Sequence, residues 1–199
     1  HITGHHRWVA TPEDPATARK NQSYYSFWPQ TVFGSLKSAW KFEKRRLHRR
    51  NETHVFWKNR VMHYLLYEVL FVVIITFFFG FLGLIFFLTQ SVIAISLLEI
   101  INYIEHYGLL REKTADGNYE RVKPHHSWNS SKRLTNWFLF NLQRHSDHHY
   151  KPGRRYQLLR HHDEAPQLPT GYAGMVLIAL IPPLYKRIMN PLISGSHPK

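Results

Sequence analysis

Three groups of histidines in the sequence have the spacing of metal ligands. One group is H-x-x-H-H in RHSDHHY, and its rings could meet at one point because residues i, i+3 and i+4 share a helix face. A second group is H-x-x-x-H-H, in which His1 and His5 share a face and His6 points about 100° further round. A single histidine lies in NYIEHYG. Imidazole nitrogen binds iron, copper, zinc and nickel. The candidate ligands are His1, His5, His6, His106, His145, His148 and His149.

These candidate ligands are more than one zinc ion needs, which favours two metal ions over one. The sequence has no cysteine, so it contains no disulfide, thiolate zinc site, iron–sulfur cluster or cysteine nucleophile. The alternative is that the histidines are surface groups beside lipid head groups. Structural, loop or solvated positions are expected for seven other histidines: His48, His54, His63, His125, His126, His161 and His162.

Several carboxylates could support such ligands, because a metal-bound histidine usually donates its second N–H to a carboxylate or a carbonyl. Glu99 begins a polar stripe of helical spacing that ends at His106 on an otherwise apolar helix. An ionisable residue in such a place is a functional hypothesis by default. For each carboxylate, an N-cap or an ordinary surface ion pair is an equal alternative. The candidates are Glu13, Asp14, Glu99, Glu105 and Asp147.

The elements that would position these groups include a membrane segment. Over 199 residues the mean hydropathy of -0.36 is typical of a soluble protein. However, Val69 to Thr89 is a run of 21 residues without a charge. As one helix it would be about 30 Å long, which matches the hydrocarbon core of a bilayer. The sequence therefore predicts a membrane span that the average hydropathy conceals.

A second apolar run follows the polar pair Gln90 and Ser91 and ends near His106. A single pass would place His106 across the membrane from His5, whereas a hairpin of two passes returns it to the same side. Metal binding and the hairpin therefore require each other. A third apolar run, from residue 171 to 185, is interrupted by two prolines, and we expect an interfacial or docking helix there.

Basic residues precede the first apolar run. The formal net charge is +13, and residues 36–63 hold nine lysines and arginines against two glutamates. Under the positive-inside rule this block places its loop in the cytoplasm. Such composition also occurs in nucleic-acid-binding proteins, but a basic block that adjoins an apolar span is more simply explained by topology and anionic lipids. We expect no nucleic-acid partner.

With these motifs in place, the sequence resembles the membrane-bound non-haem di-iron alkane monooxygenases, the AlkB-type alkane hydroxylases. Four stretches carry the resemblance: residues 1–31, which begin HITGHHRWVATPEDPA; NYIEHYGLLRE; KPHHSWNSS; and LQRHSDHHYKPGRRYQLLR. Histidine boxes alone are shared with membrane desaturases, whereas VATPEDPA, NYIEHYGL and RHSDHH together are specific. The family's first histidine box, H-E-L-x-H-K, is absent from this sequence, so we expect the chain to be the C-terminal half of a longer protein.

The resemblance implies that the seven candidate histidines bind two iron ions. It implies O2-dependent hydroxylation of the terminal carbon of medium-chain n-alkanes to 1-alcohols. The location implied is the bacterial inner membrane, multi-pass, with the active site on the cytoplasmic side. The alternatives are a xylene-type methyl hydroxylase or fatty-acyl desaturase with the same metal centre, and a basic membrane-surface protein without metal.

An electron donor is also implied, because each turnover needs two electrons and the sequence has no Gly-rich dinucleotide fingerprint. In the family that donor is rubredoxin, which is reduced by a separate reductase. Rubredoxins are small and acidic, so a basic surface near the third histidine box would attract one. Contact with lipid head groups is an equal alternative for these residues. The candidates are Arg144, Lys151, Arg154, Arg155 and Arg160.

Together these features predict an all-α integral membrane protein with a transmembrane hairpin and a histidine-rich metal-binding region on the cytoplasmic side. Residues 1–199 would form part of one desaturase/hydroxylase-like domain. Its expected segments are the second histidine box (1–31), a basic cytoplasmic segment (32–63), the hairpin (64–107), a cytoplasmic segment with the third box (108–165), and an interfacial helix and tail (166–199).

Overall fold

The structure is a computed structural model that describes residues 4–52 and 56–195. Across these residues it is all-helical, as predicted, and the only extended pairs are isolated bridges between Lys113 and Tyr119 and between Asn129 and Gln167. His1 and His54 lie outside the described residues. The α-helices are α1 (His5–Trp8), α2 (Tyr24–Arg49), α3 (Arg60–Glu105), α4 (Arg133–Phe138), α5 (His145–Tyr150), α6 (Tyr172–Ala179) and α7 (Pro182–Gly195). Short 3-10 turns cover Pro124–His126 and Tyr156–Leu158.

The chain forms two compact units, and the first comprises residues 1–32 and 99–199. Its core is aromatic. The ring of Tyr103, at the end of α3, lies 4.9 Å from that of Tyr185 in α7 and 5.5 Å from that of Phe27 in α2. The indole of Trp128 is buried and donates a hydrogen bond of 2.8 Å to the carbonyl of Tyr107. Such contacts hold the histidine-bearing segments of this unit together.

Gly108 makes the turn that directly follows NYIEH. Its φ is +72°, a left-handed conformation that side chains disfavour, and an added Cβ would lie 2.3 Å from Cδ1 of Ile193. Its N–H donates a hydrogen bond of 2.8 Å to the carbonyl of Ala18. Glycine is therefore required where the end of α3 meets the segment after the second histidine box.

The second unit, residues 33–98, contains an apolar hairpin. The rings of Phe71 and Phe87 lie 5.6 Å apart, although sixteen residues of straight helix would separate them by about 24 Å. The chain reverses at Gly80, whose φ of 64° and ψ of -162° belong to a region essentially restricted to glycine. The reversal thus lies inside the run 69–89 and not at the polar pair Gln90 and Ser91, so this run is not one continuous span.

α3 is long and apolar enough to cross a membrane, with a hydropathy of 2.9 and no part of its most apolar window buried. The two arms, 60–79 and 81–105, are about 30 Å and 37 Å long at 1.5 Å per residue. Each arm therefore has the length of a bilayer core. At the base of the first arm, Glu43 accepts hydrogen bonds from the Arg46 guanidinium and from the N–H of Arg60. These bonds tie the end of α2 to the start of α3.

The third apolar run is divided between two helices. α6 ends at Ala179 and α7 begins at Pro182, where proline is well tolerated because the first helical residues have no N–H partner. Both helices bury part of their surface, since Met175 in α6 and Met189 in α7 are fully buried in the aromatic core. The run therefore contributes to the core of the first unit as well as to its surface.

Candidate metal centre

Four buried histidines converge in the first unit. One ring nitrogen from each of His5, His106, His145 and His149 lies within 4.8 Å of the other three. Nε2 of His145 is 3.0 Å from Nε2 of His106 and 2.8 Å from Nε2 of His149. Imidazole nitrogens bind zinc at about 2.0–2.1 Å, so two ligands at a right angle on one ion are about 3 Å apart. The spacing of these nitrogens fits ligands of a shared metal ion.

Two further histidines extend the cluster. The rings of His6 and His148 are 4.7 Å apart, and the ring of His149 lies 4.5 Å from that of His6. His149 therefore lies between this pair and the other three converging rings. The structure brings together six of the seven candidate ligands, and the seventh, His1, is outside the described residues.

Separate elements deliver these side chains. α1 carries His5 and His6, α5 carries His145, His148 and His149, and His106 directly follows α3. The amide of Asn129 clamps the start of α5, because it donates to Oγ of Ser146 at 2.7 Å and accepts from the N–H of Ser146 at 2.9 Å. Asn129 belongs to KPHHSWNSS, one of the four stretches that carry the family resemblance.

The cluster favours uncharged imidazole. Burial is the largest cause that lowers the pKa of His145 and His149 well below the ordinary value, and the neighbouring imidazoles lower it further. Burial and His148 lower the pKa of His6 to about 4. At neutral pH the rings therefore keep nitrogen lone pairs that can bind a metal ion. Because these rings are protonated only at low pH, a metal ion could bind to their Nε2 atoms without competing with protons.

Asp14 makes the contact that a supporting carboxylate should make. Its Oδ2 accepts a hydrogen bond of 2.8 Å from Nδ1 of His5, which leaves Nε2 of that ring to face the cluster. The hydroxyl of Thr17 donates to the same oxygen at 2.7 Å, and the N–H of Ala16 donates to Oδ1 at 3.2 Å. Asp14 is almost fully buried, so these bonds hold both the carboxylate and the ring.

Glu105 lies within the cluster rather than behind it. Its Oε2 is 3.2 Å from Nε2 of His145, the same nitrogen that faces His106 and His149. The hydroxyl of Tyr172 donates to the other oxygen of Glu105 at 2.5 Å. The role of Tyr172 was not predicted from the sequence, because no local pattern links α6 to the histidine boxes.

The other three carboxylates have partners outside the cluster. Asp147 is fully buried, and its partners are the side chains of Arg154 and His162 and the N–H of Arg160. Asp147 follows His145 by two residues and therefore points about 200° away around α5. Glu99 accepts hydrogen bonds from Thr31 and Asn102, and Glu13 accepts one from Tyr119. His162, expected to be an ordinary loop residue, is thus part of the network that anchors the segment after α5.

The candidate docking residues divide into two groups. Nη1 of Arg144 donates to the carbonyl of Leu159 at 2.5 Å, and Nη1 of Arg154 contacts both oxygens of Asp147. These two guanidinium groups stabilise the segment after the third histidine box. Lys151, Arg155 and Arg160 are exposed and remain available to a partner.

A second group of possible ligands comprises Glu120, His125 and His126. Nδ1 of His126 accepts a hydrogen bond of 3.0 Å from the N–H of Lys123, and Nε2 lies 3.2 Å from Oε1 of Glu120. Because Nδ1 is an acceptor here, Nε2 carries the proton and donates to the carboxylate. Both nitrogens of His126 are therefore engaged, which favours a structural role for this ring, as the sequence analysis expected.

The helical fold and the buried histidine cluster are typical of membrane metalloenzymes with histidine boxes. Comparison with known families agrees with this class. The fatty acid desaturase family model matches residues 1–179, and the chain belongs to this family. The sequence is 51% identical over 197 residues to alkane 1-monooxygenase 2 of Pseudomonas aeruginosa, covering 99% of this chain and 52% of that protein. It is 52% identical over 192 residues to alkane 1-monooxygenase of Acinetobacter baylyi, covering 96% of this chain and 47% of that protein.

A more distant relative is the xylene/toluene monooxygenase hydroxylase component of Pseudomonas putida, 30% identical over 186 residues, covering 93% of this chain and 48% of that protein. The chain spans about half the length of the curated relatives that it matches. The resemblance to alkane monooxygenases is confirmed by these identities, and the relationship to the xylene enzyme is weaker.

Proposed function

We propose that this chain forms the histidine-rich part of an alkane 1-monooxygenase, a membrane enzyme that hydroxylates the terminal carbon of medium-chain n-alkanes with O2. The observation that carries the proposal is the convergence of four buried imidazoles at one point. About half of the residues are identical to those of proteins named alkane 1-monooxygenase, which supports the reaction class.

The cofactor of the proposed enzyme is a pair of non-haem iron ions. Imidazole is a suitable iron ligand, and a bound pair of ferrous ions would supply the O2-dependent redox chemistry that hydroxylation of an unactivated C–H bond needs. His5, His106, His145 and His149 would hold one ion. His6 and His148, together with His1, are the ligands proposed for the second.

The protein's own groups fix the positions of these ligands. Asp14 keeps the proton of His5 on Nδ1, so that Nε2 presents its lone pair to the cluster. The low pKa of His145 and His149, caused by burial, keeps their rings uncharged at neutral pH. Tyr172 holds Glu105 beside His145, and burial of all three excludes water from this side of the cluster.

The proposed substrate has no polar group, so an apolar channel must select it by shape and length. An alkane dissolves in lipid, and α3 has the length and hydropathy of a membrane hairpin. We therefore place the enzyme in the bacterial inner membrane as a multi-pass protein. The basic surface of α2 before the hairpin supports a cytoplasmic active site.

Rubredoxin, reduced by its own reductase, is the proposed electron donor. Lys151, Arg155 and Arg160 are exposed in the segment after the third histidine box and would attract an acidic protein. A salt titration of turnover tests this step. The rate should fall as ionic strength rises, and a rate that ionic strength leaves unchanged would contradict electrostatic docking.

The activity is tested with the full-length protein in membranes, supplied with n-octane, O2, NADH, rubredoxin and its reductase. We expect 1-octanol from the wild type and little iron or product from His106→Ala. His161→Ala is the matched control, because His161 is exposed and lies outside the cluster. An iron-loaded protein that makes no octanol would contradict the proposed substrate. A protein that holds no iron would contradict the proposal that it is a di-iron enzyme.

The same assay separates the related chemistries. A benzylic alcohol from an alkyl-aromatic substrate would indicate a xylene-type methyl hydroxylase, and a new double bond would indicate a fatty-acyl desaturase. The identity of 30% to the xylene/toluene enzyme, against 51% to an alkane 1-monooxygenase, favours the alkane reaction.

A further inference from the structure

α4 and the residues after it display large apolar side chains to solvent. The exposed fractions are 68% for Leu134, 72% for Trp137, 82% for Phe138 and 67% for Phe140. We call these four side chains the α4 surface. They lie within seven residues of one another in the first unit, outside the apolar hairpin. Contiguous exposed apolar side chains of this size mark an interaction site.

The backbone holds this surface in place. Asn136 is buried on the opposite side of α4, and its Nδ2 donates to the carbonyls of Ser130 and Lys132. Phe140 and Asn141 have φ values of 51° and 59°, a left-handed conformation that is uncommon for residues other than glycine. The N–H of Asn141 closes this turn on the carbonyl of Asn136 at 2.8 Å. The backbone is therefore strained at Phe140, whose own ring is exposed.

Exposed cations flank the α4 surface. Lys132 and Arg133 are exposed at its start, and the ring of Tyr156, next to exposed Arg155, lies 5.5 Å from the ring of Phe140. Between residues 121 and 162 the sequence has one carboxylate, Asp147, which is fully buried. The surface thus combines exposed aromatic rings with flanking cations. The nearest exposed acid known from contacts is Asp163, which lies 3.3 Å from His161, and the ring of His161 lies 2.8 Å from the hydroxyl of Ser131.

We propose that the α4 surface inserts into the interface of a bilayer that contains anionic phospholipid. Trp137 would lie at the level of the head groups, with Phe138 and Leu134 against the acyl chains, since aromatic and apolar residues anchor proteins at this depth. Lys132 and Arg133 would contact the lipid phosphates. This inference rests on the membrane location in the proposed function, and it adds a contact between the metal-binding unit and the membrane surface.

The lipid is a better occupant than a transient protein partner. A partner that leaves after each encounter would return four large apolar side chains to water, whereas a bilayer covers them permanently. The cations beside this surface, Lys132 and Arg133, also match the negative potential of anionic lipid.

Fluorescence quenching in nanodiscs tests the proposal with the full-length protein on a cysteine-free background. This chain contributes no native cysteine, so Phe138→Cys carries the label alone. We expect quenching by doxyl groups on the lipids and protection from aqueous iodide. Val73→Cys, exposed on the first arm of the hairpin, is the lipid reference, and Asp116→Cys, exposed in a loop, is the aqueous reference.

Each result has a distinct meaning. A Phe138 label that iodide quenches contradicts the proposal, and a label protected from both quenchers shows that protein covers the surface instead. If Val73 reports lipid and Phe138 does not, this inference fails while the membrane hairpin stands. If iodide quenches the Val73 label as well, the membrane location itself is wrong.

A charge reversal tests the role of the cations. Lys132→Glu with Arg133→Glu should reduce lipid quenching at position 138 in anionic nanodiscs and have little effect in zwitterionic ones. Arg121→Glu, an exposed cation outside the α4 surface, is the matched control and should leave the quenching unchanged. Equal quenching in all variants and lipids would contradict the contact with anionic head groups.

Discussion

Asp14 accepts a hydrogen bond of 2.8 Å from Nδ1 of His5, nine residues earlier in the chain. The bond joins the first helix of the metal centre to VATPEDPA, the specific segment that follows the second histidine box. It selects the tautomer in which Nε2 of His5 faces the other rings. A carboxylate nine residues further along the chain thus fixes the orientation of a proposed ligand.

Replacing Asp14 with alanine should reduce iron affinity by about 10–100-fold, the usual effect of losing such a hydrogen bond. Iron per protein, measured after dialysis against a graded series of chelator concentrations, checks this expectation. Glu13→Gln is the control, because Glu13 is exposed and its partner is Tyr119. Equal iron retention in both variants would show that Asp14 has no role at the metal.

Asp147 should matter for stability more than for metal binding. Asp147→Ala removes the buried partner of Arg154, His162 and the N–H of Arg160, and we expect a loss of about 2–4 kcal/mol. The thermal unfolding midpoint should fall. Asp163→Asn, at an exposed position, should leave the midpoint unchanged. A wild-type midpoint in Asp147→Ala would contradict the anchoring role.

Gly80 should be required for the hairpin. Its backbone conformation is essentially restricted to glycine, so Gly80→Ala should cost about 1–3 kcal/mol or open the turn. Cysteines at Phe71 and Phe87 should be joined by a short bifunctional thiol reagent in the parent and less efficiently in Gly80→Ala. Gly153→Ala is the control, because an added Cβ there meets no atom within 4 Å. Equal cross-linking yields in the parent, Gly80→Ala and Gly153→Ala would contradict the role of Gly80 in the turn.

Acid should destabilise the network around His126. Burial lowers its pKa from 6.5 to about 4, so as the pH falls the unfolded chain takes up the proton first. The stability that the neutral ring contributes is complete above pH 6.5 and is lost between about 6.5 and 4. We expect the thermal midpoint to fall less from about pH 7.5 to about pH 5 in His126→Gln than in the wild type.

The matched control for this measurement is His161→Gln, which changes an exposed histidine. Its pH dependence should follow that of the wild type. The network has a second acid-sensitive group, since hydrogen bonding by Lys123 helps lower the pKa of Glu120 to about 2 despite burial. That contribution is present above the ordinary pKa of Glu120 and is lost only at lower pH. Identical slopes for wild type and His126→Gln would contradict the assignment.

Local spacing predicted much of the metal centre. His145, His148 and His149 share a turn of α5, and the i, i+3, i+4 rule anticipates this without a structure. The same rule indicates that Asp147 points away from His145, an inference that the sequence analysis did not draw. The hairpin was also predicted, but its turn was not, because a turn made by glycine between phenylalanines carries no polar signal.

By itself, the sequence determined the helical class, the apolar hairpin and the histidines that are candidate metal ligands, because these depend on composition and short-range periodicity. Tertiary structure alone decided that His5, His106 and His145 meet, that Tyr172 contacts Glu105, and that His162 serves Asp147. These contacts join residues far apart in the chain through an aromatic core. No local pattern encodes such pairings, since they depend on how whole segments pack.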